Sequence, residues 1–247
     1  MSSYCDFAYI YDSLMSDADY DGRSEYILKL FEKYGKKPTL LLDLACGTGE
    51  FSFRLKEEGV DVIGVDMSED MLSIAREKAM ERNIDLLFLC QKAEELDLYG
   101  TVDGAICCMD SLNHITDLRN FKKAIKKVSL FLEKGCLFIF DLNTPYKHKS
   151  VLGNNTFVFE EEDVYCVWQN SYNPKNYTTD ICLDFFVEED GIYQRFSEEF
   201  SERAYNNDEV RSALKEAGLK VKAVLGDLKF SSPKPNEERV FFVCEKM

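Results

Sequence analysis

The sequence predicts an α/β fold: a doubly wound, mostly parallel sheet interrupted late in the chain by a small antiparallel β insertion. Three observations carry this. Leu40 to Asp66, LLLDLACGTGEFSFRLKEEGVDVIGVD, reads as strand, small-residue turn, amphipathic helix, strand and terminal acid, which is one βαβ unit. Apolar strand-like runs then alternate with helical segments as far as Leu142. From Tyr146 to Tyr205 the periodicity changes to near two, between turn-like Asn-Pro and Glu-Asp-Gly stretches. Residues 1–145 and 206–247 are therefore expected to form the main domain, and 146–205 the insertion.

Each element has a local reason. Residues 4 to 35 read as a helical lead-in in which Tyr4, Phe7, Tyr9, Tyr11 and Tyr20 crowd together, and Ile27, Leu28, Leu30 and Phe31 give Asp21 to Tyr34 an apolar face. Leu40 to Leu42 lead into Asp43 as strand one, Glu50 to Glu58 is a helix, and Val60 to Val65 is strand two. Ser68-Glu69-Asp70-Met71 supplies an N-cap and early acids for a helix running to about Arg82. Asp85 to Cys90 and Val102 to Cys108 are strands three and four. Asp117 to Leu132 is an amphipathic helix with Gly135 in its C-cap region, and Cys136 to Leu142 is strand five. In the insertion, Thr156 to Phe159, Val164 to Trp168, Asp180 to Val187 and Gly191 to Phe200 read as about four antiparallel strands. A helix over Asn207 to Ala217 stops at Gly218, and Leu219 to Leu225 and Arg239 to Glu245 complete the main sheet.

The chemistry concentrates in the first βαβ unit. Small residues at Ala45, Gly47 and Gly49, with Cys46 among them, allow a sharp turn whose N–H groups a ligand can approach. The following helix N-terminus directs further free donors to the same place. Asp66, ending the second strand 23 residues after Asp43, suits the two hydroxyls of a ribose. Gly47 to Ser52 comes within one residue of a dinucleotide fingerprint, but Asp43 at the mouth of the turn would repel a pyrophosphate. A ligand carrying an ammonium and a sulfonium would be attracted. S-adenosylmethionine is preferred over NAD on that ground.

Asp43-Leu44-Ala45-Cys46-Gly47-Thr48-Gly49, with Val65-Asp66-Met67-Ser68 after it, resembles motifs I and II of the class I S-adenosylmethionine-dependent methyltransferases. Along nearly the whole chain the sequence resembles a small bacterial subfamily of such proteins, with later landmarks at Asp110-Ser111-Leu112-Asn113, Phe140-Asp141-Leu142-Asn143-Thr144 and Glu238-Arg239-Val240-Phe241-Phe242. The resemblance implies a Rossmann-like seven-stranded sheet with its last strand antiparallel, and methyl transfer to N or O of an unspecified acceptor. It implies that Tyr20 to Arg23 folds over the cofactor in place of a Y-x-x-W element, Arg23 pairing with the methionyl carboxylate or with a surface acid. It places Met67 on an adenine face, and it moves adenine recognition to Ala93 and Glu94 because Lys92 stands where relatives carry an acid.

The loop Met109-Asp110-Ser111-Leu112-Asn113-His114 is expected beside the transferable methyl group, with Met109 and Asp110 as cofactor contacts. His114 is the candidate base, being the better placed of two histidines, or else a packing residue. His148, between lysines, reads as solvated. Tyr165, Trp168, Tyr172 and Phe185 form either a wall over the acceptor or the core of the inserted sheet.

Composition bounds the partners. Nine cysteines without repeated C-x-x-C spacing read as reduced core residues, with no metal site. No run of about 18 apolar residues occurs, and MSSYCDFAYIYD does not read as a signal peptide, so a cytoplasmic protein without membrane association is expected. The net charge of −15, with Lys and Arg dispersed among acids, disfavours nucleic acid and favours a small-molecule acceptor. An RNA or protein methyltransferase, a non-catalytic cofactor-binding dimerisation protein and an NAD-dependent oxidoreductase stand as alternatives; monomer and homodimer are both open.

Overall fold

The computed structural model describes residues 18–161, 164–189 and 191–247. Tyr4, Phe7, Tyr9 and Tyr11 of the predicted lead-in lie outside the described residues. In chain order the elements are α1 (Tyr20–Tyr34), β1 (Leu40–Leu44), α2 (Glu50–Glu57), β2 (Asp61–Asp66), α3 (Glu69–Arg82), β3 (Leu87–Cys90), β4 (Val102–Cys107), α4 (Leu118–Phe131), β5 (Leu132–Asn143), β6 (Thr156–Glu161), β7 (Val164–Asn173), β8 (Thr178–Glu189), β9 (Ile192–Arg203), α5 (Asn207–Glu216), β10 (Leu219–Gly226) and β11 (Arg239–Lys246). Short helical turns at Ala93–Glu95, Ser111–His114 and Lys147–Leu152 connect them.

The main sheet has seven strands in the order β10-β11-β5-β4-β1-β2-β3. β1 pairs parallel with both β2 and β4, β4 runs parallel to β5, and β11 is antiparallel to both β5 and β10. The order reverses between β1 and β4, so the loops after these strands form the crevice where such sheets bind ligands. The central strands are apolar throughout because both faces are covered. Phe121, Ala124, Ile125 and Val128 recur at helical spacing on α4 and pack with Phe138, Phe140 and Phe242 on one face, while Ile27, Leu30 and Phe31 of α1 pack with Leu41, Ile106 and Ile139 on the other. At about 25 cal/mol per Å² of apolar surface, these layers are the main source of stability.

β6 to β9 form the separate four-stranded antiparallel sheet expected of the insertion, with strands longer than the sequence suggested. Ile181, Leu183 and Phe185 alternate along β8 and pack with Cys166, Trp168, Phe196 and Phe200. Phe185 is fully buried and Trp168 lies against its cluster, so both serve the sheet's own core, whereas Tyr165 is 38% exposed.

Gly135 does not cap α4. The helix passes directly into β5, and Gly135 sits inside that strand at φ 78°. Leu132 pairs with Val102 but Leu137 with Gly104, and the excess of residues on β5 is absorbed where Gly135 takes the left-handed conformation. Of the eight described cysteines, all free, Cys107, Cys108, Cys136, Cys166 and Cys244 are buried as expected, but Cys90 is exposed. No described group of His, Cys, Asp or Glu has metal-binding geometry, and no described helix is long and apolar enough to cross a membrane.

Gly49, the N-cap of α2, has φ 85°, and a Cβ built there would lie 2.9 Å from the Phe53 ring. Gly49→Ala is expected to destabilise the protein by ~1–3 kcal/mol through backbone strain and overpacking. Urea unfolding of the two proteins measures it.

Candidate active site

The turn after β1 closes on its own backbone. Ala45 and Gly47 both adopt left-handed φ, of 58° and 55°, and Gly49 N–H donates to the Cys46 carbonyl at 2.9 Å. A Cβ added at Gly47 would meet nothing within 4 Å, so its backbone borders open space. Asp66, at the end of β2, accepts from Gly47 N–H at Oδ2 and Ser68 N–H at Oδ1, each at 2.9 Å, and Met67 N–H also supports its charge. A carboxylate has about four lone-pair sites, so room is left for a hydroxyl donor. Burial raises the Asp66 carboxyl, and the Ser68 and Gly47 donors oppose the rise.

Asp43 is 1% exposed and accepts from Ser52 Oγ at 2.6 Å. Burial pushes its carboxyl up to about 7, partly offset by the Ser52 bond and reinforced by the charge of Asp66. A cation bound beside this carboxyl would favour its ionised form.

These groups border a cleft lined by Tyr20, Asp43, Ala45, Cys46, Gly47, Thr48, Glu50, Phe51, Cys108, Met109 and Ser111. Tyr20 meets Phe51 edge-on at 5.3 Å between ring centroids. Of the residues predicted at the site, Tyr20, Asp43, Ala45, Cys46, Gly47 and Met109 therefore come together on one cleft. Gly49 and Asp66 support its turn. Met67 is 65% exposed beside Asp66, Ala93 and Glu94 are half-buried in the turn after β3, and none of these three lines the cleft.

Arg23 is committed elsewhere. Its guanidinium forks onto Asp227 at 3.0 and 3.3 Å and donates to the Ala18 carbonyl at 3.0 Å, so of the two readings the ion pair with an acid is the one formed. The loop after β10 places that acid within reach.

Beyond Met109 the chain makes a second left-handed residue, Asp110, with φ 57° and 52° for the pair. Two adjacent non-glycine residues in this region are strained. Buried polar groups hold them. Asp110 N–H donates to Asp141 Oδ2 at 3.0 Å, Asn143 Nδ2 donates to Asp110 Oδ2 at 2.6 Å, and Arg239 pairs with Asp110 at 2.5 Å and with Asp141. Despite burial, Arg239, Lys147 and His114 hold the Asp110 carboxyl below the usual range, whereas burial raises Asp141. Asp110 thus turns into this cluster rather than onto the cleft.

Asn113, fully buried, donates to the carbonyls of Arg203 at 2.8 Å and Asn143 at 3.3 Å and accepts from Asn143 N–H at 3.0 Å. It thereby fastens the Ser111–His114 turn to both sheets. His114 keeps 46% of its side chain exposed and stacks on Phe200 at 4.9 Å, with Nε2 3.6 Å from Glu202 Oε1. Desolvation lowers its pKa, and the charges of Asp110 and Asp66 oppose the fall.

His148 corrects the sequence reading. It is fully buried, not solvated: the Lys147–Leu152 turn carries it inward, Nδ1 lies 2.9 Å from Thr179 Oγ1, and burial lowers its pKa to about 4. Glu202, Asp141 and Arg239 were assigned no role from sequence. An acid inside the apolar run Phe140-Asp141-Leu142 and another in register with Phe196 and Phe200 were the available signals.

Residues 41–135 match the model of a methyltransferase domain. The candidate methyltransferase YqeM of Bacillus subtilis is 34% identical over 244 residues, covering 98% of this chain and 97% of that protein. The chain belongs to the class I S-adenosylmethionine-dependent methyltransferases. A solved S-adenosylmethionine-dependent methyltransferase from Clostridium acetobutylicum is 32% identical, covers 99% of each chain and superposes with a TM-score of 0.89. An amino pentose methyltransferase from Micromonospora echinaspora, solved with S-adenosylmethionine bound, shares the fold at 18% identity and a TM-score of 0.74, over 94% of this chain and 97% of that one. S-adenosylmethionine is accordingly the cofactor of this methyltransferase, and the residues present fit it. The open face of Gly47, the spare lone pairs of Asp66 and the ionisable Asp43 match a backbone-cradled, hydroxyl-bearing, cationic nucleoside.

Arg239→Met removes the shared cation of two buried acids and is expected to cost about 3–5 kcal/mol near neutral pH. Asp110 is depressed in the fold, so its stabilisation is present above the unfolded pKa and lost as pH falls; the gap between variant and parent should narrow on acidification, as urea unfolding across pH will show.

Proposed function

We propose that this methyltransferase acts on N or O of a small-molecule acceptor. The observation that carries the reading is the lining of the cleft: it includes Asp43 and no Lys or Arg, and the basic side chains nearest its Glu50, those of Arg54, Lys78 and Arg82, are paired with that acid. A phosphodiester backbone would find no counter-charge there, and the net charge of −15 would repel it at longer range. The fold neighbours support the same class: one is a sugar N-methyltransferase and another acts on an amino pentose.

In this reading Asp66 holds the ribose hydroxyls, Gly47 and its neighbours present backbone donors, and Asp43 faces the ammonium. The cofactor supplies an activated methyl group on a sulfonium. The protein's part is proximity and alignment, which can contribute about 7–11 kcal/mol of the barrier, together with exclusion of water. Tyr20 and Phe51 form one wall of the cleft, Cys108, Met109 and Ser111 another, and the strained Met109-Asp110 pair fixes where the second wall stands. Asn113 joins the inserted sheet to the loop that carries this second wall.

The deciding experiment supplies radiolabelled S-adenosylmethionine and a cell extract separated into small molecules and macromolecules. Label in the small-molecule fraction is expected; label confined to RNA or protein would overturn the proposal. Asp66→Ala should weaken cofactor binding by ~1–3 kcal/mol, because bonds to a charged acceptor are lost. Calorimetric titration checks it, with NAD as the ligand expected not to bind. Cofactor affinity should also rise with pH as Asp43 ionises near pH 7, since the ammonium favours the carboxylate, and Asp43→Asn should flatten that dependence over about pH 6–8.

A further inference from the structure

β9 alternates cleanly. Phe196, Glu198, Phe200 and Glu202 share one face, with Phe196 and Phe200 in the apolar cluster of the inserted sheet. Glu202 ends that row 5% exposed, where a charged residue needs a partner. Its polar neighbours are Asn143 Nδ2 at 3.4 Å, His114 Nε2 at 3.6 Å and His148 Nε2 at 3.7 Å. Asp110 faces it with a like charge, and Asp141 stands beside Asp110. Lys147 and Arg239 attract it from a distance, but Lys147 Nζ donates to Asn143 Oδ1 at 3.0 Å and Arg239 is held by the two aspartates. Both histidines are pressed towards the neutral form by burial. Burial and Asp110 accordingly raise the Glu202 carboxyl well above the ordinary range.

His114 connects this acid to the cleft. Ser111 lines the cleft, and the Ser111–His114 turn leads from it to a half-exposed ring with one edge on Glu202. Asp66 and His114 also feel each other's charge. A buried acid with no cation bonded to it, reached through a half-exposed imidazole three residues along the chain from the cleft-lining Ser111, suits a substrate that brings its own positive charge and a removable proton.

We propose that the acceptor is a small-molecule amine and that Glu202, acting through His114, takes the proton from its ammonium form. This rests on the small-molecule reading above and names the atom methylated. The ammonium N–H passes its proton to His114, which passes one to Glu202, leaving a neutral amine and a protonated carboxyl. The nitrogen lone pair then forms the new C–N bond as the methyl C–S bond breaks with its electron pair staying on sulfur. The product leaves as a methylated ammonium, and the proton on Glu202 returns to solvent. A base of raised pKa is better matched to an ammonium than an ordinary carboxylate is.

The test uses the full chain, radiolabelled S-adenosylmethionine and the small-molecule fraction of a cell extract, before and after acetylation of its amines. Acetylation is expected to abolish most labelling. With the untreated fraction, the wild-type rate should rise with pH with unit slope until Glu202 is ionised. At saturating S-adenosylmethionine, Glu202→Gln should lower the rate near neutral pH by about 100-fold and move the rise to the higher pH at which the amine is free without help from the protein. Glu202→Asp should restore part of both. Unchanged affinity of each variant for S-adenosylhomocysteine shows that the fold is intact. Label that survives acetylation, or a pH profile that Glu202→Gln leaves unaltered, overturns the proposal. Label found only in macromolecules overturns instead the small-molecule reading beneath it.

Discussion

The arrangement of the site depends on one buried cation. Arg239 sits between Asp110 and Asp141, on a strand antiparallel to the one that carries Asp141 and across the crevice from the loop that carries Asp110. Without it two buried carboxylates would repel, and neither left-handed residue after β4 would have a reason to stay there. With it, Met109 is held on the cofactor cleft, Asn143 is oriented by Asp110, and Asn113 can bind both sheets at once.

The two halves of the site obey different electrostatic rules. On the turn after β1, Asp43 and Asp66 are carboxyls raised by burial and answered by hydroxyl and backbone donors. Around the Ser111–His114 turn the acids are sorted, Asp110 kept ionised by Arg239 and Glu202 pushed the other way by Asp110 itself. Titratable pairs driven apart in this manner divide labour between a fixed charge and a proton acceptor.

The legibility of the site follows sequence distance. Asp43, Gly47, Gly49 and Asp66 lie within one βαβ unit, where strand ends and left-handed turns are dictated locally, and the pattern of apolar runs also gave the seven-stranded sheet and the inserted one. Arg23 and His148 were less readable, because the partners that decide them, Asp227 and Thr179, come from strands and loops far along the chain. Glu202 lay in plain view on the apolar face of β9, but an alternating strand rich in Glu reads as a solvated edge until the neighbouring sheet is placed against it. Gly135 misled because a helix that runs directly into a strand needs no glycine stop, and the residue served a strand irregularity instead.

The contact between Arg239 and Asp110 spans more than half of the chain. Such closures come late in assembly, since ordering the intervening segment must precede any gain from the pairing. A nascent or partly folded molecule can therefore possess the complete βαβ unit, with its glycines and both of its acids, and still lack the wall that Met109 and Ser111 supply.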